Sequence, residues 1–172
     1  MRVSRFRSVL WPAGAALASA SIVLAISSLM APSAVAEGGA PFAVVTDKTV
    51  QTECGACHMA YPAGMLPTRS WQAIMDKLDD HFGENAALDA KTTKHITDYL
   101  VANAADAGGR GARQLRGVKP DQTPLRITEL PWWIREHRGE VSPSAFKDPR
   151  VKSKANCVAC HRDAAKGYFG DD

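Results

Sequence analysis

Apolar side chains recur at spacings of three and four through the segment SWQAIMDKLDDHFG. This period predicts an amphipathic helix over residues 71–82, with Ser70 as its N-cap and Gly83 as its C-terminal stop. His81 follows Leu78 by three residues and therefore falls on the apolar face of the predicted helix. A histidine on such a face is either a core residue or a metal ligand, and the helical pattern leaves both interpretations open.

The next amphipathic segment is DAKTTKHITDYLVANAADA, for which Asp89 is the predicted N-cap. Ile96 and Leu100 mark its apolar face. His95 lies among lysine, threonine and aspartate residues at helical spacing. We therefore expect His95 to be a surface residue rather than a ligand.

A third helix is predicted in RITELPWWIREHRG, where Thr128 can act as the N-cap and Pro131 fits the first turn. Trp133 and Ile134 precede His137 by four and three residues, so His137 also faces an apolar surface. Patterns of aliphatic strands are scarce along the chain. These features predict a mainly α fold with long loops.

Residues 1–36 have the pattern of a cleaved signal peptide. Arginines at positions 2, 5 and 7 precede an apolar run from about Val9 to Ala31, and Ala34 and Ala36 fit the small-x-small cleavage pattern. Cleavage after Ala36 would leave 136 residues outside the cytoplasm, with no stable membrane insertion. An uncleaved anchor is the alternative, because the apolar run is almost long enough to cross a bilayer.

The formal charge of +3 comes entirely from the arginines of the predicted signal peptide. The remaining chain has 18 basic and 18 acidic side chains. This balance gives no reason to expect nucleic acid as a partner.

All four cysteines occur in two short motifs, CGACH and CVACH. Four cysteines in an exported protein ordinarily suggest two disulfides, and a C-x-x-C pair is also a redox or zinc-binding pattern. Zinc ribbons separate their two pairs by roughly 15 to 20 residues. Here 99 residues separate Cys57 from Cys157, which does not fit a zinc ribbon.

A histidine completes each cysteine motif, and C-x-x-C-H is the attachment signature of c-type haem. Each thiol forms a thioether with one haem vinyl group, and the histidine binds the iron from the proximal side. We therefore predict two covalently attached haem c groups. Their predicted attachment residues are Cys54 and Cys57 with His58, and Cys157 and Cys160 with His161.

Each iron then needs a second axial ligand, and His81 and His137 are the predicted distal ligands. Met65, in the loop YPAGMLP, is the rival, because a loop methionine often closes the haem pocket of a monohaem cytochrome. His81 follows His58 by 23 residues, and His137 precedes His161 by 24. These spacings favour local pairing, with His81 on the first haem and His137 on the second, over a crossed arrangement.

The predicted mature chain is one compact domain whose helices pack around two haems rather than around a large aliphatic core. Residues 37–107 form an N-terminal haem-binding half and residues 125–172 a C-terminal half. Between them, 108–124 read as a flexible, basic Gly/Pro-rich loop. This loop, and a second basic cluster over 147–154, are either docking surfaces for an acidic partner or merely solvated.

Longer blocks of the sequence resemble the exported bacterial dihaem cytochrome c family. These blocks extend from about Glu53 to Phe169, come in the order of the family, and read ECGACHMAYPAGMLPTRSW, IMDKLDDHFGENAALD, ITDYLVANAAD, RITELPWWIREH and VKSKANCVACHRDAAKGYF. The resemblance implies bis-histidine coordination of both haems. Its ligand-type histidines match HFG and REH, hence His81 and His137.

The resemblance also implies a small electron carrier. Together with the predicted signal peptide and the filled axial positions, it leads us to expect a periplasmic electron carrier, not an enzyme. Members of the family pass electrons to an oxygen-binding monohaem c-type cytochrome and are associated with a membrane b-type cytochrome as donor. Two protein ligands on each iron leave no open site for substrate, which favours electron transfer over catalysis. The alternative functions, a dihaem peroxidase or reductase or a haem-based sensor, each require an open iron site.

Overall fold

Four short α-helices joined by long loops make up the part of the chain that the computed structural model describes, residues 42–108 and 110–170. The predicted signal peptide lies outside these residues. The helices are α1 (Lys48–Glu53), α2 (Thr68–Met75), α3 (Ala90–Ala102) and α4 (Pro131–His137), and short 3₁₀ turns lie between them and after α4. Within the two described ranges there is no β-strand. The mainly α fold with long loops is confirmed.

Aspartate side chains begin two of the helices. The Asp47 carboxylate accepts a hydrogen bond from the backbone N–H of Val50 at 2.9 Å, in the first turn of α1. Asp89 caps α3 as predicted, accepting from the N–H groups of Lys91 and Thr92. Each cap satisfies backbone donors that the first helical turn leaves without a partner.

The helix predicted over residues 71–82 is wrong at both ends. α2 begins earlier, so Ser70 is a buried residue inside the helix rather than its N-cap. The chain leaves the helix after Met75 and forms a 3₁₀ turn over Leu78–Asp80. The Asp80 carboxylate accepts from the N–H of Gly83 at 3.1 Å. Aspartate side chains offer the backbone such local alternatives, which disfavours a continued helix.

The N-terminus of α2 is capped by a residue distant in sequence. Pro67 occupies the cap position and supplies no side-chain hydrogen bond. Instead the Asp106 carboxylate accepts from both the backbone N–H and the hydroxyl of Thr68, at 2.7 and 2.8 Å. The arrangement fastens the start of α2 to the turn that follows α3.

Thr128 does not cap the third predicted helix, so that assignment is wrong as well. Thr128 lies within a 3₁₀ turn, Ile127–Glu129, and Leu130 is the N-cap of α4. Pro131 occupies the first helical turn, as predicted. Proline favours this position because its missing N–H would have no helical partner there.

All four helices contribute to one hydrophobic cluster. The Trp71 indole N–H, inside this cluster, donates to the carbonyl oxygen of Ala63 at 2.7 Å. The cluster joins the N-terminal and C-terminal halves of the described chain. Its larger members are Val50, Leu66, Trp71, Met75, Ile96, Leu100, Leu130 and Trp133.

The loop over 108–124 has defined contacts in its described part. The Arg69 guanidinium donates to the carbonyl oxygens of Gln122 and Lys119, at 2.5 and 3.2 Å. Val118 packs against the hydrophobic cluster. The division into two haem-binding halves and a loop stays a prediction.

Over the described ranges, no helix has the length and apolar character needed to cross a membrane.

Candidate iron-binding histidine pairs

The two C-x-x-C pairs have the same exposure pattern. In each, the first cysteine is half-buried and the second is exposed, and all four are free of disulfide bonds. Burial raises the pKa of Cys54, with a smaller contribution from the charge of Glu53. Burial likewise raises the pKa of the Cys157 thiol. In both motifs, therefore, the first cysteine is a half-buried neutral thiol and the second is a thiol at the surface.

The segment that follows α1 orients His58. The ring N–H at Nδ1 donates to the carbonyl oxygen of Met59 at 2.7 Å. The imidazole also lies beside the Tyr61 ring, with centroids 4.8 Å apart and planes inclined by 23°. A histidine that donates from Nδ1 keeps Nε2 as the metal-binding nitrogen.

His161 is oriented in a similar way at the second motif. Its backbone N–H donates to the carbonyl of Cys157 at 2.8 Å, which closes a turn around the cysteine pair. Its Nδ1 donates to the carbonyl oxygen of Gly170 at 3.3 Å, and the Phe169 ring meets it edge-on. The C-terminal tail therefore supports this imidazole.

His81 begins a tight turn rather than ending a helix. Its backbone N–H donates to the carbonyl of Glu84 at 2.7 Å, and the N–H of Glu84 donates back at 3.2 Å. Between them Phe82 and Gly83 both have positive φ angles, 59° and 101°, as a type I′ turn requires. Burial, and then the neighbouring charges of His58 and Arg126, lower the pKa of His81. The neutral imidazole, which can bind a metal, is thereby favoured.

His137 ends α4 and is held against an aromatic residue of the same helix. Its Nδ1 donates to the carbonyl oxygen of Trp133 at 2.8 Å. Its imidazole stacks on the Trp133 indole, with centroids 4.0 Å apart and an interplanar angle of 18°. The apolar surface predicted for His137 is therefore provided by Trp133, while Ile134 is partly exposed.

The four histidines form two pairs of neighbouring rings, nearly parallel in the first pair (24°) and nearly perpendicular in the second (88°). The ring centroids of His58 and His81 are 6.2 Å apart, and those of His137 and His161 are 6.1 Å apart. Two imidazoles on opposite sides of a metal ion, each with a metal–nitrogen bond of about 2.0 Å, would have centroids about 6.3 Å apart. Each pair has room for one iron between its rings.

A cavity of about 630 Å³ adjoins His137. Its walls include the Trp133 and Phe146 rings and the exposed cations Arg138 and Lys154. The volume lies within the range of about 300–1,000 Å³ common for cofactor pockets, and an apolar wall with a few charged groups is the usual lining. This chemistry fits a flat apolar macrocycle that carries carboxylates.

The other candidate ligands lie elsewhere. Met65 is 1% exposed in a 3₁₀ turn, and neither histidine pair needs it to supply two candidate ligands. His95 is at the surface, as expected, and its Nε2 lies 2.8 Å from the Asp47 carboxylate. Among the described residues, no group of three or more histidine, cysteine or acidic side chains could hold a metal ion.

Comparison with known proteins identifies the family. The profile of the dihaem cytochrome c family matches residues 50–169. The chain belongs to the dihaem cytochrome c family. A search of curated proteins finds no match.

Solved dihaem cytochromes c have the same fold. A diheme cytochrome c from Rhodobacter sphaeroides is 55% identical, with a TM-score of 0.69 over 73% of this chain and 98% of its own. A second structure from the same organism is 50% identical, with a TM-score of 0.63 over 74% of this chain and all of its own. The diheme cytochrome type c from Shewanella baltica is 37% identical, with a TM-score of 0.57 over 72% of this chain and 87% of its own.

Membership of the family confirms the cofactor prediction of two covalently attached haem c groups, which the two cysteine pairs fit. Proteins of this family are in general electron carriers, and they exchange electrons with other redox components.

Sequence reasoning did not single out Tyr61, Phe82 or Arg126, which contact the candidate ligands or their neighbours. The signal available for Tyr61 and Phe82 was an aromatic residue within three positions of a candidate ligand. Arg126 lies 45 residues beyond His81, and only the fold brings it near.

Proposed function

We propose that this dihaem cytochrome c is a periplasmic electron carrier in which all axial positions are filled by histidine. His58 and His81 would hold the iron of the first haem, and His161 and His137 that of the second. The two short centroid separations, 6.2 and 6.1 Å, are the observation that carries this proposal. They favour local over crossed pairing.

The histidine contacts suit transfer of electrons better than catalysis. When bound, each haem supplies a one-electron Fe(III)/Fe(II) couple. Hydrogen bonds to backbone carbonyls hold His58, His137 and His161. These bonds disfavour dissociation of the three rings from iron, and therefore the opening of a site for peroxide or another substrate on their side of each haem.

We further propose a membrane b-type cytochrome as the electron donor and a soluble c-type cytochrome as the acceptor. The basic cluster formed by Lys147, Arg150, Lys152 and Lys154 would dock an acidic partner. Lys154 lies 5.7 Å from the centroids of both Trp133 and Phe146. Because Trp133 stacks on His137, this cluster adjoins the second histidine pair.

The test is addition of carbon monoxide to the reduced holoprotein, followed by absorption spectroscopy. We expect no spectral change, since four histidines leave no axial position free. An immediate shift of either haem would reveal an open iron and would favour the enzyme or sensor instead. A mature mass equal to residues 37–172 plus two haems, measured on protein from the periplasmic fraction, tests export separately.

A further inference from the structure

The turn that carries His81 contains a residue in an unfavourable backbone conformation. Phe82 has φ 59°, a left-handed conformation that bulky side chains rarely adopt. Such strain persists only where the surrounding structure holds it. The adjoining hydrogen bonds between His81 and Glu84 are one restraint, and a second comes from a different part of the chain.

The second restraint is Arg126. Its guanidinium carbon lies 4.2 Å from the centroid of the Phe82 ring, which is the geometry of a cation–π contact. The Phe82 ring in turn meets the His81 imidazole edge-on, with centroids 4.9 Å apart. Arg126, Phe82 and His81 therefore form a continuous row of side chains.

The position of Arg126 connects both halves of the molecule. It immediately precedes the 3₁₀ turn Ile127–Glu129, which leads into α4 and so to His137. Its side chain is half-exposed and lies 3.7 Å from the Glu129 carboxylate. That separation is long for an ion pair, so the positive charge near His81 is only partly offset.

We propose that Arg126 positions His81 through the Phe82 ring and raises the reduction potential of the iron held between His58 and His81. The inference rests on the ligation proposed above. Reduction removes one unit of positive charge at the iron, so a nearby cation stabilises the reduced state. Arg126 lies within about 9 Å of the His81 ring, and an iron bound to that ring would lie about 3 Å beyond the ring centroid. At about 12 Å, an effective dielectric constant of about 20 to 80 gives about a twofold to tenfold effect on the ratio of reduced to oxidised haem.

The decisive experiment is an optical redox titration of holoprotein variants in low salt. Arg126→Gln removes the charge, and we expect the ratio of reduced to oxidised haem to fall about twofold to tenfold for one of the two haems at a fixed solution potential. The His81→Ala variant identifies the haem: it should shift the same step of the redox titration as Arg126→Gln does. Arg126→Lys keeps the charge and should restore most of the wild-type potential. The matched control is Lys94→Gln, which removes an exposed cation paired with Asp98 and should leave both potentials unchanged.

The positioning role is tested by Phe82→Leu, which removes the aromatic face from under the guanidinium. We expect the potential of the same haem to fall in the same direction, and its low-spin absorption band to broaden. The inference is overturned if Arg126→Gln and Phe82→Leu leave both potentials and both low-spin bands at their wild-type values, or if Arg126→Lys lowers the potential as far as Arg126→Gln.

Failure of the proposed ligation gives a separate result. A wild-type holoprotein that binds carbon monoxide at the haem of the first motif would refute the His58–His81 pair before any Arg126 variant is measured. A low-spin wild type with unresponsive Arg126 variants would refute this inference alone.

Discussion

The Tyr61 hydroxyl donates a hydrogen bond to the carbonyl oxygen of Ala155 at 2.5 Å, joining residues 94 positions apart. The same tyrosine ring lies against His58, and Ala155 is two residues before Cys157. Burial, with a smaller contribution from Cys157, raises the pKa of Tyr61 to about 12, so its hydroxyl remains a donor at physiological pH. One side chain thus connects the two haem-attachment motifs directly.

Removing this hydroxyl should weaken the joint between the motifs. Tyr61→Phe keeps the ring against His58 but leaves the Ala155 carbonyl without this donor. We expect the free energy of unfolding of the holoprotein to fall by about 1 kcal/mol, measured by urea titration. Tyr168→Phe is the control, because Tyr168 is 56% exposed. Equal losses in the two variants would contradict a specific role for Tyr61.

Loss of either proposed distal ligand should affect one haem only. We expect His81→Ala and His137→Ala each to convert one haem to a high-spin form that binds carbon monoxide when reduced, because each iron loses one of its two imidazoles. Absorption spectra of both oxidation states measure this. His95→Ala, at a surface histidine that contacts the Asp47 carboxylate, should leave both haems low-spin. A high-spin haem in the His95 variant would show that the ligand set is wrong.

Substitutions at the second residue of the two cysteine motifs should have different effects on stability. A Cβ atom on Gly55 would lie 2.1 Å from the backbone oxygen of Gln51, so the backbone must move to accept a side chain. We expect Gly55→Ala to lower the free energy of unfolding by about 1–3 kcal/mol. The equivalent residue of the second motif, Val158, is 44% exposed, and Val158→Ala should change stability little. The argument fails if thermal or urea unfolding ranks these two variants the other way.

The distant cap of α2 should make stability depend on pH. Burial raises the pKa of Asp106, but hydrogen bonds from Thr68 and the charge of Arg69 outweigh it, so the net shift is downward from 3.8. A lowered pKa in the folded state stabilises the protein above pH 3.8, and this stabilisation is lost as the pH falls through the folded-state pKa.

We therefore expect Asp106→Asn to destabilise the protein at pH 7 by about 1 kcal/mol, with the difference from wild type shrinking towards pH 2. Urea titrations at both pH values measure it. Asp121→Asn, at an exposed aspartate, is the control and should leave the free energy of unfolding at pH 7 unchanged. A gap between Asp106→Asn and wild type that stays constant with pH would exclude the charge as its source.

Features that depend only on neighbouring residues could be predicted from the sequence. The C-x-x-C-H motifs predict their own cofactor because the attachment reaction needs two thiols and an imidazole at fixed short spacing. The Asp89 cap and the first-turn Pro131 were likewise predictable, since each depends only on the backbone groups of the nearest turn. The surface position of His95 followed from its polar helical neighbours.

Features that depend on residues distant in the sequence could not be predicted from it. Periodicity alone continued α2 to residue 82, whereas the structure ends it at Met75 and places His81 in a turn. The carboxylate that accepts from the first N–H of α2 belongs to Asp106, 38 residues beyond Thr68, whereas the local sequence pointed to Ser70.

The sequence by itself determined the kind of cofactor, the helical class and which histidines were available, because these follow from residue type and short spacing. The spacing of the histidines favoured local pairing, but only the tertiary structure showed ring centroids 6.2 Å apart for His58 and His81 and 6.1 Å apart for His137 and His161. It alone also placed Arg126 over Phe82. Those relationships depend on how segments tens of residues apart pack on one core, and no local pattern encodes a distance across the fold.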